Sequence, residues 1–150
     1  MYWGKCRRKS RLLFYLPALM KRFLTKLTSS VLAPVGWTLL TIVLLCLPGS
    51  AFPSKGLFNL DIPHLDKVIH VILFGGIILF WCQYFLHKKD WNKNWRVKVF
   101  VIATGAITLG ICLEYIQFNY IPNRSFDRGD ILANSLSTVA FGLFFFFRRP

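Results

Sequence analysis

The sequence predicts an all-α membrane protein, a compact bundle of four transmembrane helices with a basic interfacial helix at its N-terminus. Hydrophobic residues make up 55% of the 150-residue chain and the mean hydropathy is +0.48, which is too apolar for a water-soluble protein of this size. Four long stretches carry almost no charge, and each approaches or exceeds the ~20 residues that a helix needs to cross a bilayer. The connections between them are short, so successive helices are expected to pack antiparallel.

Residues 1–30 form the most basic part of the chain. Eight of the 19 Lys and Arg residues lie there, and the formal net charge of the protein is +13. Leu19, Phe23 and Leu27 recur at helical spacing, which is typical of a helix lying in a membrane interface. In a soluble protein this charge would suggest nucleic acid, but its position before the first apolar stretch indicates anionic lipid headgroups. We therefore expect a cytoplasmic or interfacial segment over 1–30, a membrane domain over 31–150 and no nucleic-acid partner.

The four spanning helices are predicted over 31–47, 65–86, 97–118 and 130–147. Pro34 is tolerated in the first turn of the first helix, and Pro48 with Gly49 ends it. A cleaved signal peptide is not expected, because the basic segment before the first apolar stretch is longer than a usual signal-peptide n-region.

Loop charge predicts the orientation of these helices. Four basic residues lie in the connection 87–96, and two more follow the last helix. The connection 48–64 contains only Lys55, and the connection 119–129 contains Arg124 and Arg128. Because cytoplasmic loops carry an excess of Lys and Arg, both ends of the chain are expected in the cytoplasm.

Nine polar residues are expected to meet at the extracytoplasmic face of the bundle. One group begins the second helix, another lies near the end of the third, and the rest follow at intervals of three or four into the fourth. Such residues within a bilayer usually face a cavity or a partner, because a charge there costs about 2.5–3.5 kcal/mol. The nine candidate residues are Asp66, Lys67, His70, Glu114, Gln117, Arg124, Asp127, Asp130 and Asn134.

This ordered set resembles the VanZ-like family of bacterial integral membrane proteins. The resemblance covers roughly residues 48–142 and departs from the family at Ser137, where a glycine is expected. It implies a multi-pass protein of the bacterial cytoplasmic membrane, in a family that is associated with lowered susceptibility to lipoglycopeptide antibiotics such as teicoplanin. The family has no established biochemical activity, so the resemblance implies no mechanism.

The favoured hypothesis is that the nine residues bind an anionic lipid of the outer leaflet or a lipid-linked cell-wall precursor. Lys67, Arg124 and Arg128 would donate to the headgroup, since the guanidinium fork is suited to phosphate. The carboxylates among the nine would orient these cations or accept from sugar hydroxyls.

Two alternatives remain open from the sequence. In an enzyme acting on a lipid-linked phosphoryl or acyl group, His70 oriented by Asp66 would be the general base, and Asp130 or Glu114 the acid. In a purely structural interpretation, the polar residues only fix the helix packing. Whether the protein is an enzyme, and its oligomeric state, are not predicted.

Metal binding is the last possibility that the residue types raise. His70, Glu114, Asp127 and Asp130 offer ligands for a divalent ion, but their spacing matches no metal signature. No metal and no other cofactor is therefore expected from the sequence.

Overall fold

The computed structural model describes residues 29–48, 65–88, 94–122 and 124–148. Within these ranges the protein is all-helical and contains no strand. Each helix begins and ends within two residues of its predicted bounds. The predicted interfacial helix before residue 29 lies outside the described residues. The four helices are α1 (Leu32–Cys46), α2 (Leu65–His87), α3 (Trp95–Tyr120) and α4 (Arg128–Phe147).

Three of the helices are long and apolar enough to cross a membrane. α2 has 23 residues, α3 has 26 and α4 has 20, with mean hydropathies of 2.0, 2.0 and 1.6 over their most apolar windows. α1 is apolar but has only 15 residues. At a rise of 1.5 Å per residue it is about 22 Å long, which is less than the ~30 Å hydrocarbon core.

The helices pack around α2, which contacts each of the other three and packs most extensively against α4. Phe74, Ile78 and Cys82 of α2 are fully buried among them. The outer surface is rich in large apolar side chains, including Phe100 and Leu136, each 68% exposed. Apolar residues on the outside and buried polar residues within suit a protein whose solvent is lipid.

α1 packs closely against α2 at a glycine. The indole Nε1 of Trp37 donates to the carbonyl oxygen of Leu73 at 2.9 Å. A Cβ atom at Gly76 would overlap the same indole ring, so the glycine permits this close approach. Trp81 Nε1 also donates to Thr38 Oγ1 at 3.2 Å, which joins the two helices at a second level.

α4 is joined to α2 by Ser137, whose Oγ donates to the carbonyl oxygen of Val71 at 2.7 Å. An added Cβ at Gly75 would lie 3.0 Å from this Oγ. The position at which the sequence departs from the VanZ-like pattern therefore lies in a helix contact, and its hydroxyl takes part in that contact.

The antiparallel order brings three helix ends together. α2 and α4 begin, and α3 ends, at the same end of the bundle, as the long-range contacts among Lys67, Asp127 and Glu114 require. α1 also ends there, because Gln117 Nε2 of α3 donates to the carbonyl oxygen of Leu45 at 2.6 Å.

Candidate functional site

Eight of the nine candidate residues form a polar cluster at this end of the bundle. The ninth candidate, Gln117, bonds elsewhere, since its amide nitrogen donates to a backbone carbonyl oxygen of α1. The members of the polar cluster are Asp66, Lys67, His70, Glu114, Arg124, Asp127, Asp130 and Asn134.

Lys67 connects the start of α2 to the start of α4. Its Nζ lies 2.6 Å from Asp127 Oδ2 and 3.2 Å from Asp130 Oδ1. The side chain of Asp130 is only 4% exposed, whereas those of Lys67 and Asp127 are 34% and 48% exposed. Lys67 therefore neutralises a buried carboxylate from a position that still reaches solvent.

Asp127 is the N-cap residue of α4 and also contacts α3. Its Oδ1 accepts from the backbone N–H of Gly129 at 2.6 Å, as expected of an aspartate before the first turn of a helix. Its own backbone N–H donates to Glu114 Oε1 at 2.7 Å. A Cβ at Gly129 would lie 2.6 Å from Lys67 Nζ, so the glycine leaves room for the lysine. From the sequence, no role was predicted for Gly129. Its position directly before the candidate residue Asp130 is the sequence signal that could have indicated a close contact there.

His70 is fully buried, and its two ring nitrogens have different surroundings. Nδ1 lies 3.0 Å from Asn134 Oδ1. Nε2 faces two carboxylates, at 3.7 Å from Asp130 Oδ2 and 4.0 Å from Asp66 Oδ1, and has no hydrogen-bond partner among the described residues. Asn134 therefore orients the ring, a role that the enzyme hypothesis had given to Asp66.

Glu114 is buried near the end of α3. Its Oε1 accepts from the backbone of Asp127, while its Oε2 has no hydrogen-bond partner within the described ranges. Neither Lys67 nor Arg124 lies within ion-pair distance of this carboxylate among the residues described. Glu114 thus holds the start of α4 against α3. Among the described residues, no group donates a hydrogen bond to its Oε2.

Arg124 lies in the connection between α3 and α4 and is mostly buried, with 18% of its side chain exposed. One Nη lies 4.0 Å from Asp66 Oδ1, and the buried Nε has no hydrogen-bond partner in the described part of the chain. The described residues therefore leave most of the hydrogen-bonding capacity of this guanidinium unused.

The polar cluster has a buried base and an open rim. His70, Glu114, Asp130 and Asn134 are each at most 3% exposed. The rim contains Asp66, whose side chain is 54% exposed, together with the partly exposed side chains of Lys67 and Asp127. An apolar groove of about 400 Å³ between α1, α2 and α3 is lined by none of the cluster residues.

Acidification is expected to weaken the contact between Lys67 and Asp127. The pKa of Asp127 lies below its ordinary value. The hydrogen bond from Lys67 contributes most to this lowering, and the hydrogen bond from the Gly129 N–H contributes next. Because the folded-state pKa is depressed, the stabilisation is present above the unfolded-state pKa of about 4 and is lost as pH falls through the folded value.

Thermal unfolding in detergent between about pH 6 and pH 3 checks this expectation. The wild-type protein should lose stability more steeply below about pH 4 than Asp127→Asn does. Added salt should reduce the difference, because Asp127 is half-exposed and its charge is screened. Equal slopes for the two proteins would contradict the assignment.

No protein-family model, curated protein or solved structure matches the chain. The VanZ-like resemblance is therefore a proposal that rests on the residues themselves.

Proposed function

We propose that the chain is a VanZ-like protein of the bacterial cytoplasmic membrane whose polar cluster binds an anionic headgroup at the extracytoplasmic face. The ligand would be a phospholipid of the outer leaflet or a lipid-linked cell-wall precursor. α1 would be the fourth transmembrane helix, residues 1–30 would include the basic interfacial helix, and both ends of the chain would lie in the cytoplasm.

The distribution of charge supports this orientation. Lys88, Arg96 and Arg148 lie at the end of the bundle opposite the polar cluster. An excess of Lys and Arg favours the cytoplasmic side, so the polar cluster would face outward. Trp37 of α1 bonds to α2, and Gln117 of α3 bonds to α1. These two contacts support the inclusion of α1 in the same bundle.

Arg124 carries the proposal of headgroup binding. Its guanidinium lies beside the rim, its Nε has no partner among the described residues, and its contact to Asp66 is 4.0 Å long. A buried guanidinium with unused donors is costly unless a ligand accepts its hydrogen bonds, and a phosphate can do so through two oxygens. Lys67 adds a second positive charge, while the exposed oxygens of Asp66 and Asp127 can accept from headgroup hydroxyls.

Lipid binding by purified variants tests this proposal. The full chain would be purified in mild detergent and titrated with anionic phospholipids or with a polyprenyl phosphate, and bound lipid would be measured by native mass spectrometry. We expect Arg124→Ala to weaken binding at least about tenfold, which corresponds to about 1.4 kcal/mol. Arg124→Lys should recover only part of the loss, because lysine keeps the charge but not the fork.

Arg148→Ala is the matched control, since it removes an arginine at the opposite end of the bundle. It should bind the same lipids as the wild type. Equal affinities for the wild type and Arg124→Ala across anionic lipids would refute headgroup binding at this site and leave the structural interpretation. Teicoplanin susceptibility of a bacterium expressing the wild type or Arg124→Ala would then test the association that the resemblance implies.

A further inference from the structure

Three side chains of metal-ligating type, drawn from two helices, meet within the polar cluster. Asp66 and His70 lie one turn apart on α2, and Asp130 comes from the first turn of α4. One ligand atom from each residue lies within 4.8 Å of the other two. We propose that these residues bind a divalent transition-metal ion, with Zn²⁺ the best match to their chemistry.

The second ring nitrogen of His70 is the observation that points to a ligand. Asn134 Oδ1 can only accept a hydrogen bond, so the contact at 3.0 Å places the proton of a neutral His70 on Nδ1. The lone pair of Nε2 is then buried and directed toward two carboxylates. Three electron-rich atoms facing one another repel unless a proton or a metal ion lies between them. The separations of 3.7 and 4.0 Å are too long for an N–H···O hydrogen bond and suit an intervening metal ion better than a proton. An imidazole whose other nitrogen is held by an oxygen acceptor is the usual arrangement of a metal-binding histidine.

The distances and the ligand types suit a metal ion of intermediate softness, one that binds both imidazole nitrogen and carboxylate oxygen. A cation placed centrally would lie about 2.5 Å from all three atoms, so shifts of a few tenths of an ångström reach the ~2.0–2.2 Å of zinc–ligand bonds. One imidazole with two carboxylates suits Zn²⁺ better than Mg²⁺ or Ca²⁺, which prefer oxygen ligands alone. The half-exposed Asp66 leaves a route for the ion and an open coordination position.

The other contacts of the polar cluster support the same site. Lys67 bonds to Asp130 Oδ1, which leaves Oδ2 directed toward His70. Four carboxylates share the cluster with the two cations Lys67 and Arg124. This excess of carboxylates over cations favours a bound divalent ion. The spacing of the ligands in the sequence gave no metal signature because one of them comes from a different helix.

Metal content measured on the whole chain tests this inference. The protein would be purified in detergent through a tag without histidines, stripped with EDTA and equilibrated with low-micromolar free Zn²⁺. Elemental analysis should find one zinc per chain, and Zn²⁺ should raise the unfolding temperature. Asp66→Asn, a change at a half-exposed residue that should not prevent folding, is expected to lower zinc affinity by about 10-fold or more. Asn134→Leu should lower it by about 10- to 100-fold through loss of the bond that orients His70.

His87→Gln is the matched control. It removes a histidine at the far end of the same helix, about 25 Å from His70 at a rise of 1.5 Å per residue. It should retain one zinc per chain. Co²⁺ offers a second readout, because its visible absorption should appear in the wild type and in His87→Gln but not in His70→Gln. Substoichiometric zinc in the wild type, or equal binding by the wild type and Asp66→Asn, would overturn the inference. Because no lipid is added in this experiment, its result is independent of headgroup binding.

Discussion

Replacing Lys67 with methionine is expected to lower the free energy of unfolding substantially, because the change leaves the buried carboxylate of Asp130 without its lysine partner. The side chain of Asp130 is 4% exposed, and the ammonium group of Lys67 lies 3.2 Å from its Oδ1. Removing one partner of a fully buried ion pair is strongly destabilising, whereas an exposed pair contributes little to stability. Lys67 is 34% exposed, so solvent screens part of the interaction and the effect should lie between these limits. Unfolding in SDS, with metal removed by EDTA, measures it.

A double-mutant cycle separates this interaction from general damage to the helix. Lys67→Met combined with Asp130→Asn should be more stable than the sum of the single changes predicts, because the second change removes the uncompensated charge. Lys98→Met on α3 is the matched control, since it removes a lysine at the other end of the bundle and should show no coupling with Asp130→Asn. Additive effects of Lys67→Met and Asp130→Asn would contradict the role given to Lys67.

Apolar patterning predicted the helices well, because the requirement that backbone groups be satisfied in lipid leaves helices as the simplest solution. α2 begins at Leu65 as predicted, and α4 ends at Phe147 as predicted. The short α1 differs from the other three, since only 15 residues are helical. Composition gives the extent of an apolar stretch, whereas the number of helical residues also depends on how the ends of that stretch are capped and packed.

The polar residues could be assigned to one end of the bundle from helix direction, but their partners could not. Lys67 was expected to be a headgroup donor, and it is held by Asp127 and Asp130. Gln117 was grouped with Glu114, although its side chain reaches the last turn of α1. A spacing of three or four residues shows which side chains share a helix face, while the rotation of one helix against another decides which faces meet.

Gly76→Ala is expected to destabilise the protein by about 2–3 kcal/mol, the second large effect that the structure predicts. The new Cβ would overlap the Trp37 indole, so the indole must move and its hydrogen bond to Leu73 is weakened. Overpacking of this kind costs about 1–3 kcal/mol, and a lost hydrogen bond about 1 kcal/mol more. In an isolated helix the same change would be favourable, because alanine has the higher helix propensity.

Gly105→Ala supplies the control, because the described part of the chain places nothing except the adjoining residues and local helix backbone within 4 Å of the Cβ that would be added there on α3. Its stability should stay within about 0.5 kcal/mol of the wild type. Trp37→Phe removes part of the ring that Gly76→Ala would strike, so the double variant should lose less stability than the two single changes together. If Gly76→Ala unfolds in SDS at the same point as Gly105→Ala, then α1 does not pack against α2 at this glycine. The comparison of Gly76→Ala with Gly105→Ala therefore tests whether α1 packs against α2 as the contact between Trp37 and Gly76 indicates.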